Sequence, residues 1–324
     1  MTEAYCVQFE ETGGPDVLKR APLELQPPGP GQVRLRVRAI GLNFIDTYHR
    51  TGLYPVPLPF IPGTEVAGEI EVVGEGVTAF KPGDRVGYIG QRGYATHVNA
   101  PADRLIALPD EVSFDAAAAL LLKGLTTWML LFEIRRASPG DTALVWAPVG
   151  GVGSLLVPWA TSLGVRVIGV TSTEEKAAIA RKAGAAHVIL RGAGDVARQV
   201  RDLTGGKGVD VAYDSVGKTS AEASLTSLKP RGWWISYGNA SGAAEPIAPG
   251  RYGQLGSLIV TRPSLFSYIP DAASLARGTA ALFGALRTGT IAPLIEQTFP
   301  LERAGEAHSL LESGRTTGTT LLLP

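Results

Sequence analysis

The chain has 324 residues, enough for two domains that each bury a core of their own. Its 30 Lys and Arg balance 30 Asp and Glu, which leaves no net field to draw nucleic acid or an anionic membrane. The single cysteine, Cys6, excludes an internal disulfide and a thiolate zinc cluster and suits a reducing cytoplasm; no apolar stretch approaches the roughly 20 residues of a membrane helix.

The first third reads as strands. From Val33, VRLRVRAIGLN alternates apolar residues with Arg34, Arg36 and Arg38, the period of a half-buried strand. Nothing aromatic interleaves with these arginines, so they read as a solvated face and not as a nucleic-acid stripe. EVAGEIEVVGEG, DRVGYIG and YATHVNA continue the pattern between turns at Pro62-Gly63 and Pro82-Gly83-Asp84. Together they imply a small antiparallel barrel. At Ser113 the texture changes: SFDAAAALLLKGLTTWMLLFEI has helical spacing, with Ser113 as its cap. A strand–helix cadence follows through TALVWA, VRVIGVTS, HVILR, VDVAYDSVG, WWISYGNA and SLIVTRP. Its helices close at Gly164, Gly184 and Gly205, where a left-handed residue costs least. Short apolar strands alternating with helices make an α/β fold, a doubly wound parallel sheet of the nucleotide-binding kind. An amphipathic helix around Ala273 to Arg287 and the tail FPLERAGEAHSLLESG lead to a last strand, TTLLLP, expected to rejoin the first domain.

The turn APVGGVG, Ala147 to Gly153, lies between the first strand of that sheet and its first helix. Glycines there let a backbone approach a pyrophosphate and offer it free N–H groups. Pro148 stands where the G-x-G-x-x-G fingerprint has its first glycine; it removes one donor but leaves the later ones. Pro158, inside the following helix, predicts a kink or a shortened helix. The second strand ends in Thr171-Ser172-Thr173, with no acid to bond a ribose 2′-hydroxyl. Glu174 and Glu175 are explained by the first helical turn. Lys176 lies within reach of the same loop and Arg191 ends the third strand next door; if Lys176 is more than an ordinary exposed helix residue, small hydroxyls plus two cations suit a 2′-phosphate.

The whole chain resembles the zinc-independent NADPH:quinone oxidoreductases, the zeta-crystallin-like family of the medium-chain dehydrogenase/reductase superfamily. The motifs that carry this are GLNFIDTYHRTGLYP from Gly41, PGTEVAGEI, KPGDRV, LLKGLTT, GGVG, YDSVG, SYGNASG and VTRPSL. The resemblance implies a Rossmann NADP-binding domain at 123–262, inserted into a GroES-like catalytic domain formed by 1–122 and the return segment 263–324. It implies NADPH as cofactor and a homodimer in the cytoplasm. By position, Asn43 and Tyr48 would face the nicotinamide, with Thr126 near it. Gly150, Gly151 and Val152 would hold the pyrophosphate, and Ser172 and Lys176 the 2′-phosphate. Val216, Gly217, Tyr237, Arg262 and Leu265 would line the rest of the groove. Arg191 stands where the family often has tyrosine, which trades stacking for charge; Pro148 and Pro158 depart from its usual alanine and glutamine.

Zinc-dependent relatives carry cysteine where this chain has Asn43 and histidine where it has Thr64, and His49, His97, His187 and His308 show no ligand spacing. His49 reads as a surface residue. Without a Lewis acid, alcohol oxidation is disfavoured. Hydride transfer to an electron-poor acceptor needs a dry cleft and good alignment. Asn43, Tyr48 and Tyr54 are the candidates to orient or protonate that acceptor, each with packing as its alternative, and Asp46 reads as a helix cap. Three functions stay open: a quinone reductase, a reductase of enal, enone or enoyl-thioester double bonds, and a non-enzymatic NADPH-binding protein of structural or RNA-associated kind. Neutral charge weighs against RNA and membrane partners.

Overall fold

In the computed structural model, which describes residues 4–324, the chain divides into two compact units. One comprises the chain up to Leu125 together with Ile269–Ala280 and Pro293–Pro324; the other comprises Thr126–Tyr268 and Ala281–Ala292. The divisions fall a few residues later than the sequence suggests, at 125 and 268 in place of 122 and 262. The chain also visits the second unit twice, because 281–292 belongs with it.

The first unit is built on the strand Gln32–Gly41. It pairs antiparallel with Glu65–Val73, His97–Pro101 and Thr319–Leu323. Val33, Leu35 and Val37 point into the core with Ile70, Val86, Val98 and Leu322, while Arg36 and Arg38 stay exposed. Cross-strand carboxylates answer the arginines: Arg34 Nε lies 2.8 Å from Glu71 and Arg38 Nη2 2.7 Å from Glu69. Such surface pairs add little to stability, so the apolar row fixes the register. The tail does return here, with Leu321 opposite Gly41 and Leu322 opposite Ile40. The pairing is not wholly antiparallel, because Ile295–Pro300 runs parallel to Thr319–Leu323 after the helix between them carries the chain back.

Ser113 caps the helix Phe114–Trp128 through its Oγ, which accepts from Ala116 N at 3.1 Å. The helix continues as a π-helical stretch, Met129–Ile134. At 21 residues, Phe114–Ile134 is long and apolar enough to cross a membrane by length and composition, contrary to the sequence expectation. Lys123 and Glu133 interrupt its apolar run. With 72% of its apolar window buried in protein, it has the character of a core helix.

In the second unit six parallel strands lie in the order His187–Leu190, Arg166–Thr171, Thr142–Trp146, Val209–Asp214, Leu228–Ser236, Ile259–Thr261. In chain order this is 3-2-1-4-5-6, the doubly wound arrangement, whose ligand crevice opens at the carboxyl ends of the strands where the order reverses. Leu144, Ile168, Ile189, Ala212 and Trp234 fill its core with Val200 and Leu225 from the covering helices. The helix Gly153–Ser162 runs unbroken through Pro158. Neighbouring elements thus hold it helical despite the lost hydrogen bond.

Candidate functional site

Nearly every residue expected to hold the cofactor lies just after a strand of the parallel sheet. The turn 147–153 follows Trp146, Ser172 and Lys176 follow Thr171, and Arg191 follows Leu190. Val216 and Gly217 follow Asp214, Tyr237 follows Ser236, and Arg262 and Leu265 follow Thr261. The carboxyl ends of six strands in one sheet therefore gather side chains from a hundred residues of sequence. Thr126 lies apart from them, in the helix Phe114–Trp128.

The APVGGVG turn answers for its own composition. Ala147 adopts a left-handed φ of 51°, a costly conformation for a residue with a side chain. Its carbonyl accepts from Gly150 N at 3.0 Å. A Cβ on Gly153 would stand 2.1 Å from that same carbonyl oxygen and 2.8 Å from the Pro148 carbonyl carbon, so the helix starts this close only because residue 153 is glycine. Gly150 has room, with the nearest atom to a built Cβ at 3.4 Å. The Pro148 ring lies over the neighbouring strand, 3.0 Å from where a Cβ on Gly169 would be. Proline replaces a glycine's flexibility with packing against a glycine elsewhere. Gly151 N and Val152 N, just ahead of the helix, have no acceptor among the described residues. These are the orphaned donors that an anion at a helix N-terminus uses.

At the next strand end, Thr173 caps its helix by accepting from Lys176 N at 3.3 Å. The Lys176 ammonium is held below its ordinary pKa by partial burial and by the charge of Arg191. Ser172, at the end of the same strand, is exposed, and hydroxyls and cations of this kind suit a phosphate dianion.

One unforeseen residue organises the other half of the crevice. Asp214 is fully buried, and its carboxylate accepts from Val216 N (2.9 Å), Gly217 N (3.1 Å), Ser220 Oγ (2.6 Å), Ser224 Oγ (2.8 Å) and Trp234 Nε1 (3.1 Å). Its carbonyl accepts from Tyr237 N at 2.8 Å. One anion therefore holds both the Val216–Gly217 loop and the start of the Tyr237 loop. Arg262 Nη1 donates to Ser236 O at 2.9 Å, and with the Asn239 amide turned so that both its ends are satisfied, its oxygen accepts from Arg262 Nη2 at 3.1 Å. Sequence reasoning missed Asp214 and Asn239 although both lie in quoted motifs, YDSVG and SYGNASG. An acid at the end of an apolar strand was the available signal.

In the first unit, Asn43, Tyr48 and Tyr54 are brought together around the helix Phe44–Thr51. Asn43 caps it, and the Tyr48 and Tyr54 rings meet edge to face at 5.2 Å, with Phe44 6.2 Å from Tyr48. Tyr54 N donates to Tyr48 O at 3.0 Å, which seats the loop on the helix. His49 is no surface residue: its ring is half-buried between Tyr54 and Phe60, and burial lowers its pKa.

Asp46 does more than cap. It is fully buried, and Oδ2 accepts from Asn43 N (2.9 Å) and the Tyr94 hydroxyl (3.4 Å). Oδ1 accepts from Thr64 Oγ1 (3.0 Å) and Gly63 N (3.3 Å). Burial pushes its pKa up to about 6 against these donors. Tyr94 in turn bonds His308 Nε2 at 2.8 Å, and burial drives His308 down to about 3, which keeps the imidazole neutral.

Beside this network the Glu65 carboxylate is also fully buried. Oε1 accepts from Leu122 N at 2.7 Å, and Oε2 accepts from Asn43 Nδ2 and Lys123 Nζ, each at 2.9 Å. Neither Glu65 nor Lys123 was anticipated from sequence, although a lone cation in the apolar run LLLKGL is a visible anomaly.

The family model described as alcohol dehydrogenase GroES-like domain matches residues 29–110, and that described as zinc-binding dehydrogenase matches 151–269. A quinone oxidoreductase of Pseudomonas aeruginosa is 48% identical over 324 residues, covering 99% of this chain and 100% of that protein. A 2-haloacrylate reductase of a Burkholderia species is 44% identical over 332 residues, covering 98% of each. The crystal structure of Escherichia coli quinone oxidoreductase complexed with NADPH matches with a TM-score of 0.96 at 42% identity, over 99% of this chain and 100% of that one. The donor set here does not fit a zinc ion. Asn43 and Thr64 are poor ligands, every oxygen of Glu65 and Asp46 already accepts a hydrogen bond, and an ammonium stands 2.9 Å from Glu65 Oε2. The two units have the expected architecture, a GroES-like, mostly-β domain and a Rossmann sheet, and full-length relatives share them; the chain belongs to the quinone oxidoreductase family of the medium-chain dehydrogenase/reductase superfamily.

Proposed function

We propose that this protein is an NADPH-dependent quinone reductase that works without zinc. The observation that carries the reading is the cofactor crevice. It combines free amides at the APVGGVG turn with Ser172, Lys176 and Arg191 at an acid-free second strand end. When bound, NADPH supplies a hydride. Gly151 and Val152 amides hold its pyrophosphate, and Ser172, Lys176 and Arg191 hold the 2′-phosphate. Val216, Gly217, Tyr237, Arg262 and Leu265 are assigned to the rest of the groove, and Thr126 to the nicotinamide. Asn43, Tyr48 and Tyr54 are assigned to nicotinamide and acceptor, where hydroxyl and amide groups orient the quinone and offer protons to its reduced oxygens. A quinone suits such a site because it is already a strong hydride acceptor and needs no metal to polarise it.

A second reading is favoured by one finding, the 44% identity to a protein named 2-haloacrylate reductase. A 2-haloacrylate is an electron-poor alkene, and hydride delivery to its double bond makes the same demands on the protein. Turnover of NADPH with a panel of quinones and activated alkenes separates the two readings. Quinones should give the higher kcat/KM, and the reverse order would transfer the assignment to alkenes. We place the protein in the cytoplasm as a homodimer. Ile259–Thr261 is the edge strand of the sheet, with Ile259 exposed, and pairing with its copy across a two-fold axis protects that edge.

A further inference from the structure

We propose that Lys123 is a positioning residue for hydride transfer: paired with Glu65, it sets the orientation of the Asn43 carboxamide. This rests on the assignment of Asn43 to the nicotinamide and acceptor.

A primary amide can be seated in two ways that differ by exchange of its oxygen and nitrogen. Here both of its N–H groups are committed. Asn43 Nδ2 donates to Gly41 O at 2.9 Å and to Glu65 Oε2 at 2.9 Å. The flipped amide would turn its oxygen on a carbonyl and a carboxylate, so Gly41 O and Glu65 together decide which end of the amide stands where, and Glu65 is the side chain of the two. Glu65 is fully buried, and an uncompensated carboxylate is not tolerated there. Lys123 Nζ supplies the compensation 2.9 Å from the same oxygen that Asn43 uses. Its side chain is only 6% exposed, so the pair is shielded from screening by solvent. The backbone is shaped around this contact: a Cβ on Gly41 would come within 2.4 Å of Glu65 Oε2 and 2.1 Å of Ala118 O. Glycine at 41 lets strand, helix and carboxylate close on one point. The charge also reaches Asp46, whose carboxyl it favours in the ionised form and whose Oδ2 holds Asn43 N. Lys123 thus stabilises from behind both anchors of Asn43, its side chain and its backbone.

The experiment is a double-mutant cycle on Asn43→Ala and Lys123→Met, with single-turnover hydride transfer to a quinone, NADPH Kd and melting temperature measured for all four proteins. Each single variant should slow hydride transfer about 10- to 100-fold, on the scale of losing a charge-assisted contact, with NADPH Kd within about threefold. The double variant should transfer hydride no more slowly than the slower single variant, because Lys123 acts through Asn43. Lys123→Met should lower the melting temperature in both backgrounds. A purely structural lysine would show that melting shift alone. If Lys123→Met does not fold, Lys123→Gln, which keeps an N–H toward Glu65, takes its place in the cycle. Should Asn43→Ala transfer hydride at the wild-type rate, the assignment of Asn43 fails and the proposal with it. If Asn43→Ala is slow but the Lys123 variant is not, or if the two effects multiply, the assignment stands and only the role of Lys123 is overturned.

Discussion

The two glycines that flank the phosphate turn make opposite predictions from one geometry. Alanine at 153 would place its Cβ 2.1 Å from Ala147 O and 2.8–2.9 Å from Pro148 backbone atoms. Ordinary contact requires more than 3.4 Å, so the helix N-terminus or the turn has to retreat by about 1 Å, and backbone atoms cannot rotate aside as a side chain would. Overpacking of this kind costs about 1–3 kcal/mol. If the native turn persists, the cost appears in stability, as a fall of about 2–4 °C in Tm per kcal/mol for a domain of this size. If the turn relaxes, the amides of Gly151 and Val152 lose their aim and the cost appears in NADPH affinity, where 1–3 kcal/mol is about 5- to 150-fold. Alanine at 150 meets nothing closer than 3.4 Å and should change neither quantity appreciably. Calorimetric titration with NADPH and thermal melts of Gly150→Ala and Gly153→Ala measure both. Wild-type affinity and Tm in Gly153→Ala, or equal losses in the two variants, would refute the close approach of helix and turn on which the phosphate site depends.

Lys176→Ala should erode a preference for NADPH over NADH by about 10- to 100-fold, the worth of one charge-assisted contact to a phosphate; equal Kd values for the two cofactors in the unmutated protein would remove the basis of this prediction. Fold-buried His308, held near 3 against 6.5, refuses a proton that the unfolded chain accepts, so its contribution to stability is complete above pH 6.5 and declines as pH falls toward 3. Asp46, raised to about 6, works in the opposite sense over part of this window. Urea unfolding of His308→Gln should therefore show an acid limb flatter than wild type by about 2 kcal/mol between pH 6.5 and 5, and parallel curves would show that His308 is not the group responsible. Asp214→Asn should weaken NADPH binding, because an amide nitrogen faces donors that now meet a carboxylate oxygen; unaltered Kd would detach that residue from the cofactor loops. Light scattering at micromolar concentration should give twice 34.0 kDa, and a mass near one chain would exclude dimerisation through the Ile259–Thr261 edge.

Local patterns in the sequence determined most of the architecture, because period and punctuation are properties of neighbours along the chain. The alternation in VRLRVRAIGLN, the six apolar runs ending in glycine-bearing or hydroxyl-bearing loops, and Ser113 before its helix each state their structure within a dozen residues. The order of those runs then placed the cofactor residues at the carboxyl ends of one sheet. Tertiary structure decided what depends on contacts between distant segments. Pro148 is accommodated by Gly169 on the adjacent strand. Glu65 meets Lys123 across 58 residues and Tyr94 meets His308 across 214. Burial at those meeting points, absent from any local pattern, turns an apparent helix cap at Asp46 into a perturbed carboxyl and a lone lysine in an apolar helix into half of an ion pair.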